Sequence, residues 1–239
     1  MKNQHLRNKV TGSVKYLLPL CLFILLPFSV SAQDEPEYRL DIGGGVGVVS
    51  YLGDLNENLL KDLQPMGALI GRLKMNPRMA LSLQIGYGKL KGDSKDVKTW
   101  YPEMQDVSLS FNNSLIDVSL KYEYNFWPYG TGREYRGAKP LTPYIAFGLG
   151  GTFVSGNKST VTANLPLAVG VKYKVGQRLN LALEWAMHFT LSDQLDGVKD
   201  PYGIKSSGLF KNTDCYSSLQ LSLTYDLWAK CKTCHNDRD

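Results

Sequence analysis

The feature that most constrains the fold is a strict two-residue alternation of apolar and polar side chains over residues 165–191. The alternation is interrupted once, by a tight turn at Gly176-Gln177-Arg178. A period of two puts apolar side chains on one face of a strand and polar ones on the other. Each run covers about twelve residues, which exceeds the roughly five or six of a usual soluble strand and fits a tilted strand that crosses a membrane.

Eight segments share this alternation, and their even number predicts that both ends of the chain lie on one side of a membrane. The connections at 76–78 and 176–178 are short, whereas those at 91–106, 156–164 and 192–214 are long, as in outer-membrane barrels. We therefore predict an all-β, eight-stranded antiparallel up-and-down transmembrane β-barrel. Its predicted strands are Tyr38–Ser50, Gly67–Met75, Met79–Lys89, Leu115–Phe126, Tyr144–Phe153, Leu165–Val175, Leu179–Leu191 and Tyr216–Trp228.

The polar faces predict a lumen filled by charged side chains of both signs, because eight strands enclose an interior that side chains just fill. We therefore expect no wide pore. The charges expected to pair in the lumen are Arg39, Asp41, Arg72, Lys74, Asp117, Lys121, Glu123, Lys172, Glu184 and Asp226. Aromatic girdles are expected at both ends, the inner one from Phe126, Trp127, Tyr144 and Trp228 and the outer one from Trp100, Tyr101, Phe111 and Tyr216.

Residues 1–32 have the pattern of a secretory signal peptide, with a basic leader, a short apolar run and Val30-Ser31-Ala32 before the expected cleavage site. Four of the 27 lysines and arginines lie in this leader, which leaves 23 against 22 acidic residues. This balance argues against a nucleic-acid partner. The predicted organisation is a signal peptide at 1–32, an outer-membrane β-barrel at 33–229 and a periplasmic cysteine-containing tail at 230–239, in a Gram-negative bacterium.

The tail carries Cys231-Lys232-Thr233-Cys234-His235, which has the C-x-x-C-H pattern of c-type haem attachment. Haem also needs an enclosing pocket and a controlled environment, and a zinc site would need a fourth ligand. A disulfide, internal or to a partner, fits an oxidising compartment better. We predict no cofactor and no metal, and we expect Cys231 or Cys234 to contact a partner.

Two further segments are candidate sites. His188 lies on one strand face with Glu184 and Thr190. Some eight-stranded barrels are lipid-modifying hydrolases that use a histidine and a nearby serine. Because the sequence places no serine beside His188, we expect a histidine of the lumen and no enzyme.

The connection Trp127–Pro143 interleaves basic and aromatic residues, which suits an acidic protein surface, a solvated turn or lipid head groups. We favour docking, and the predicted docking residues are Arg133, Tyr135, Arg136, Lys139, Cys231 and Cys234.

Several motifs, in order, resemble the PorG-like outer-membrane barrels of Bacteroidetes over about residues 38–228. The motifs that carry the resemblance are Gly43–Gly47, Tyr51–Asn56, Asn76-Pro77-Arg78, Tyr87–Asp93, Tyr122–Phe126 and Pro143-Tyr144. The resemblance implies an accessory barrel of the type IX secretion and gliding machinery, associated with a periplasmic ring built from a lipoprotein and its partner. The alternatives are a surface barrel that binds external ligands through its long loops and, after it, a lipid-modifying enzyme.

Overall fold

The computed structural model describes residues 37–52, 62–93, 110–131, 137–156, 159–191 and 214–229. Within them the chain forms eight strands: β1 (Tyr38–Leu52), β2 (Gln64–Asn76), β3 (Met79–Asp93), β4 (Ser110–Asn125), β5 (Leu141–Ser155), β6 (Thr160–Lys174), β7 (Leu179–Thr190) and β8 (Cys215–Ala229). The described part of the chain contains no helix with the length and apolar character needed to cross a membrane.

The strands follow one another in sequence order around a closed antiparallel barrel. The barrel closes where β1 pairs with β8, from Tyr38 opposite Ala229 to Leu52 opposite Cys215. Closure leaves no unpaired sheet edge, because each strand has a neighbour on both sides. The predicted fold class is therefore confirmed, and the barrel has a terminal end, at Tyr38 and Ala229, and a loop end, at Leu52 and Cys215.

An apolar belt covers the outer face of the barrel. On β3 the outward side chains of Leu83, Ile85 and Tyr87 are 46–56% exposed. The neighbouring strands continue the belt with similarly exposed side chains: Ile42, Val46, Leu69, Leu73, Val118, Leu120, Phe147, Leu149, Leu167, Val169, Leu183, Trp185, Leu221 and Leu223. A continuous exposed apolar surface of this kind is unfavourable in water and is typical of a barrel wall that faces lipid.

The polarity of the wall inverts at the loop end. Beyond Tyr87 the outward residues of β3 are Lys89 and Lys91, and both are exposed. The inward side there is apolar, since buried side chains from five strands pack into one cluster: Val49, Tyr51, Leu90, Leu115, Val154 and Tyr216. β3 and β4 therefore extend past the belt with the inside-apolar, outside-polar pattern of a soluble sheet. This inversion explains why β3 and β4, predicted to stop at Lys89 and start at Leu115, are each several residues longer.

Arg39 and three aromatic residues of the predicted girdles, Phe111, Tyr144 and Tyr216, do not lie where the sequence predicts them. Phe111 packs against the inner cluster of the loop end, with its ring centroid 5.0 Å from that of Tyr51, and Trp100 and Tyr101 lie outside the described residues. Arg39 is exposed, not in the lumen, and Tyr38 is buried; next to their β8 partners Trp228 adopts φ +53°, which breaks the regular alternation of the pleat. Tyr144 and Tyr216, predicted in the girdles, are 1% exposed inside the barrel. Each has the inward parity of its own strand and finds a carboxylate there, so the interior satisfies its hydroxyl.

Glycines let β1 approach β8 closely. A Cβ on Gly43 would lie 2.0 Å from the carbonyl oxygen of Leu223, and one on Gly47 would lie 2.1 Å from that of Leu219. No side chain fits at these two inward positions without moving the neighbouring backbone. The glycine-rich start of the barrel is thus a requirement of closure.

Candidate functional site

The terminal half of the lumen holds two linked ionic clusters. In the first, Glu123 on β4 accepts from Arg72 Nε on β2 at 3.0 Å and from Lys172 Nζ on β6 at 2.5 Å. Lys172 also donates to Asn125 Oδ1 at 3.1 Å. All four side chains are buried. Two cations around one carboxylate compensate much of the desolvation cost that each charge would have alone.

The second cluster lies at the end of the lumen around Asp226 on β8. Lys74 Nζ and Lys174 Nζ each donate to one of its carboxylate oxygens at 2.5 Å, and Asn180 Nδ2 donates to Oδ1 at 2.9 Å. Lys74 also pairs with Asp41 at 3.3 Å, and Asp41 lies 3.6 Å from Arg72. The two clusters therefore form one network that ties together strands from all around the barrel.

The middle of the lumen is crossed by the ion pair between Lys121 on β4 and Glu184 on β7. Lys121 Nζ also donates to Gln84 Oε1 at 2.9 Å. Glu184 accepts from Gln220 Nε2 at 3.1 Å and from the hydroxyl of Tyr144 at 2.7 Å. These five side chains span the barrel from wall to wall, so the lumen is filled with paired groups at this level.

Toward the loop end, Asp117 on β4 is the centre of a neutral-donor network. Its Oδ2 accepts from the hydroxyl of Tyr216 at 2.8 Å and from Asn164 Nδ2 at 2.6 Å, and Ser119 donates to its Oδ1. Thr152 lies 3.1 Å from the hydroxyl of Tyr216. A carboxylate with several donors is stable in a buried site without a cation. The apolar cluster of the loop end lies directly above this network and includes Tyr216.

His188 lies in the lumen beside this network, as expected from its strand face. It is 2% exposed, and its ring stacks on Tyr216 with centroids 4.4 Å apart. The structure brings Ser218 of β8 to it, with Ser218 Oγ 3.4 Å from Nε2, whereas the distance from Nδ1 to Asp117 Oδ2 is 3.9 Å. That distance is too long for the hydrogen bond that orients a catalytic histidine. Thr190 instead donates its hydroxyl to the backbone oxygen of Asp214.

The connection between β4 and β5 folds across the terminal end of the lumen. Tyr129 is 9% exposed, and its hydroxyl donates to Asn180 Oδ1 at 2.9 Å while its backbone N–H donates to Pro77 O at 2.9 Å. Burial, with the carboxylates of Asp226 and Asp41 nearby, raises the pKa of Tyr129 well above that of an exposed tyrosine. The phenol therefore stays protonated and can keep donating its hydrogen bond.

Other contacts fix this connection to both neighbouring segments. Thr131 donates through its backbone N–H and its hydroxyl to the carboxylate of Glu37, both at 3.2 Å. Gly130 N–H donates to Lys139 O at 3.1 Å, and Lys139 N–H donates to Pro128 O at 2.7 Å. We call residues 126–131 and 137–140 the cap. Two cavities in the lumen have volumes of about 20 and 10 Å³, room for one or two water molecules. A larger pocket of about 250 Å³ opens beside the cap, between Thr131, Lys174 and the β6–β7 turn.

Of the predicted docking residues, the structure describes Lys139, which is exposed at the cap with its Nζ 4.7 Å above the ring of Trp127. Arg133, Tyr135, Arg136, Cys231 and Cys234 lie outside the described residues, as do the predicted signal peptide and the C-x-x-C-H motif. Residues 141–143, predicted in the connection, belong to β5. Among the described residues no group of three histidine, cysteine or acidic side chains is arranged to hold a metal ion.

An apolar outer belt, a lumen of paired charges and closure of eight antiparallel strands define the outer-membrane type of β-barrel fold. The chain belongs to the family described as "Domain of unknown function (DUF6089)", whose model matches residues 15–236. No curated protein is detectably similar to it in sequence.

Several solved structures are similar to this chain. Neisserial surface protein A (NspA) is 12% identical, with a TM-score of 0.49 over 79% of this chain and 97% of its own. The outer membrane protein OprG from Pseudomonas aeruginosa is 12% identical, with a TM-score of 0.48 over 83% and 100% of the two chains. Ail, the attachment invasion locus protein of Yersinia pestis, is 10% identical, with a TM-score of 0.45 over 81% and 99%.

Proposed function

We propose that this protein is a non-enzymatic outer-membrane β-barrel that anchors or organises a periplasmic ring complex of a type IX protein secretion system. The single observation that carries the proposal is the contrast between a wall built for lipid and a lumen that is filled and capped. A barrel of this kind holds a position in the membrane without passing a solute, and it works through its ends. The steps that support this are membrane placement, a closed lumen, a built terminal surface and the resemblance of its motifs.

Membrane placement is supported by the length of the belt. On β3 the segment from Met79 to Tyr87 carries the outward apolar side chains, and its nine residues match the 9–11 residues of a tilted transmembrane strand. Lys89 and Lys91 follow it at the loop end, and the short turn Pro77-Arg78 precedes it. Because short turns lie on the periplasmic side of such barrels, the terminal end is periplasmic in this proposal.

The filled lumen supports a role other than transport or catalysis. The ionic clusters and the central Lys121–Glu184 pair leave cavities of about 20 and 10 Å³, too small for a path to a solute. Ser218, His188 and Asp117 lie close together, but each is at most 4% exposed and the histidine lacks an orienting bond. A hydrolase needs both that bond and access for a substrate.

Docking at the periplasmic side is supported by the cap. A connection of this length is unusual on the short-turn side of a barrel, and here its described residues are held by the side chains of Glu37, just before β1, and Asn180 on β7. Residues held in one conformation form a surface that a partner can recognise without an ordering cost. The order and spacing of the PorG-like motifs favour the secretion ring as that partner.

The experiment is a cross-linked pulldown of the full chain from native membranes under non-reducing conditions. The test variant is Cys231→Ser/Cys234→Ser, and the matched control is Cys215→Ser, because Cys215 lies at the loop end, where its thiol contacts Leu52 O at 3.4 Å. We expect a periplasmic ring protein to be captured by the wild type and the control but less by the double variant. Recovery of the barrel alone from wild-type membranes would contradict the proposal.

A second candidate function has its own observation, the wall that extends past the belt with exposed Lys89 and Lys91. A rigid extracellular rim of this kind can present long loops to external ligands. In that case the loop end carries the function and no periplasmic partner is needed. Deletion of residues 231–239 separates the two, because it weakens ring assembly under the first function and has no effect under the second.

A further inference from the structure

Two cations and two aromatic rings from three separate chain segments meet on the outer rim of the terminal end. Arg78 comes from the β2–β3 turn, Phe126 and Trp127 follow β4 directly, and Lys139 precedes β5. The two rings are 47% and 40% exposed, and both cations are exposed. We call these four residues the rim cluster.

Arg78 is held in place through its backbone and its side chain. Its N–H donates to Asn76 Oδ1 at 2.8 Å, which fixes the tight turn, and its Nη1 donates to Phe126 O at 2.8 Å. This leaves the other edge of the guanidinium free to take an anion in a two-point contact. Within the described part of the chain, no carboxylate lies within ion-pair distance of it.

Lys139 and Trp127 form the other half of the cluster. Thr142 clamps Trp127, since its hydroxyl lies 3.1 Å from both the backbone N and the backbone O of that residue. The ammonium of Lys139 lies 4.7 Å above the ring. This arrangement holds the charge at the level of the ring, and its hydrogen-bond donors remain open to one side.

The rim cluster lies at the depth where the apolar belt ends. The ring of Phe126 packs edge-on against Tyr124, the last outward residue of β4, at 6.0 Å between centroids. Aromatic rings of barrels occupy the boundary between acyl chains and head groups. Cations just outside such rings lie at the level of the lipid phosphates.

We propose that the rim cluster binds the phosphate of a glycerophospholipid in the periplasmic leaflet of the outer membrane. Arg78 and Lys139 contact the phosphate oxygens, and Phe126 and Trp127 pack against the glycerol and upper acyl chain. The inference rests on the membrane placement proposed above. It assigns Lys139 to lipid and leaves protein docking to the interior of the connection and to the tail.

The test is native mass spectrometry of the full barrel in detergent with added phosphatidylglycerol. The variant Arg78→Gln/Lys139→Gln removes two charges at the rim, and the control Lys89→Gln/Lys91→Gln removes two at the loop end. We expect the rim variant to bind the lipid roughly tenfold or more weakly, because it lacks both of the cations that contact the phosphate. The control is expected to bind like the wild type.

Equal binding by the rim variant, or an equal loss in the control, would overturn the proposal. Displacement of the lipid by millimolar inorganic phosphate would overturn it too, since it indicates a site for a free anion. Loss of a captured periplasmic protein with unchanged lipid binding would assign the rim to a protein interface instead. The wild type and both variants are first tested for fractionation with the outer membrane. If the wild type is not found in that fraction, the proposed membrane placement is wrong, and this result is distinct from a loss of lipid binding by the rim variant alone.

Discussion

Tyr129, in the connection between β4 and β5, donates its hydroxyl to Asn180 Oδ1 on β7 at 2.9 Å across the terminal end of the lumen. Asn180 in turn donates to Asp226, so the cap and the deepest ionic cluster share one residue. The cap is therefore bonded to the lumen and is not a loose loop above it. Because of this link, the stability of the closed end depends on the hydroxyl group of Tyr129.

The Tyr129→Phe variant is expected to lower the free energy of unfolding by about 1 kcal/mol, the usual loss for one buried hydrogen bond. The measurement is urea unfolding in detergent micelles, with Tyr87→Phe as the control, because Tyr87 is 56% exposed on the belt. Equal losses in the two variants would contradict the role of the cap.

The same phenol predicts a pH dependence. Because the folded chain raises the pKa of Tyr129, the unfolded chain ionises it first, at about pH 10. Its contribution to stability is present below that pH and is lost as the pH rises above it. The Tyr129→Phe variant is expected to lose less stability than the wild type between pH 9 and pH 11, two values chosen to bracket this pKa. A drop as large as that of the wild type would assign the alkaline sensitivity to other groups.

Glu123→Gln is expected to be the most destabilising single change in the lumen, because it removes the carboxylate that the buried Arg72 and Lys172 share. Lys172 then loses its ion pair, and Arg72 keeps only the longer contact with Asp41 at 3.6 Å. Removal of one partner from a buried pair costs about 3–5 kcal/mol. Adding Lys172→Gln removes the cation that has lost its ion pair, so the double variant is expected to lose less than the sum of the single changes. Additive losses in a double-mutant cycle of unfolding midpoints would mean that the residues act independently.

The closure of the barrel predicts a sharp difference between two glycines. A Cβ at Gly47 would collide with the carbonyl of Leu219, whereas one at Gly71 meets nothing within 4 Å. Gly47→Ala is expected to cost about 1–3 kcal/mol or more through backbone displacement, and Gly71→Ala to be close to neutral. Heat-modified migration on a gel measures the folded fraction of each. Comparable folding of both variants would contradict the close approach of β1 and β8.

The filled lumen predicts that the purified protein does not conduct ions. In planar bilayers we expect no discrete current steps from the wild type, since the Lys121–Glu184 pair and its partners cross the full width of the barrel. Reproducible single-channel steps would contradict a filled lumen and would indicate a transport function.

The two-residue alternation was sufficient to predict eight strands, and nine of the ten charged residues predicted for the lumen lie there. A strand whose outer face contacts lipid and whose inner face contacts polar groups can place its apolar and polar side chains in only one way. It failed at Lys89 and Leu90, where the wall leaves the belt and the sides exchange polarity. For Tyr144 and Tyr216 the alternation correctly indicates the inward face, and the prediction of a place in the girdles, which rested on their aromatic type, is wrong.

The contacts within the candidate site could not be predicted from the local sequence pattern, because they join residues that are distant in sequence. The approach of Ser218 to His188 depends on the β7–β8 register, which pairs Ala186 with Ser218, and the two strands are far apart in sequence. Tyr129 lies in a segment without periodicity, and its position follows from bonds to Pro77 and Asn180 that are distant in sequence. Strand order was predictable, whereas register and cap contacts required the fold itself.

The most direct test of the account is cysteine labelling of intact cells with a membrane-impermeant maleimide. Single Lys89→Cys and Lys139→Cys variants, in a background with Cys215, Cys231 and Cys234 changed to serine, report on the two ends of the barrel. We predict labelling of Lys89→Cys in intact cells and of Lys139→Cys only after the outer membrane is permeabilised. Labelling of Lys139→Cys in intact cells would contradict a periplasmic cap, and with it the proposed docking role.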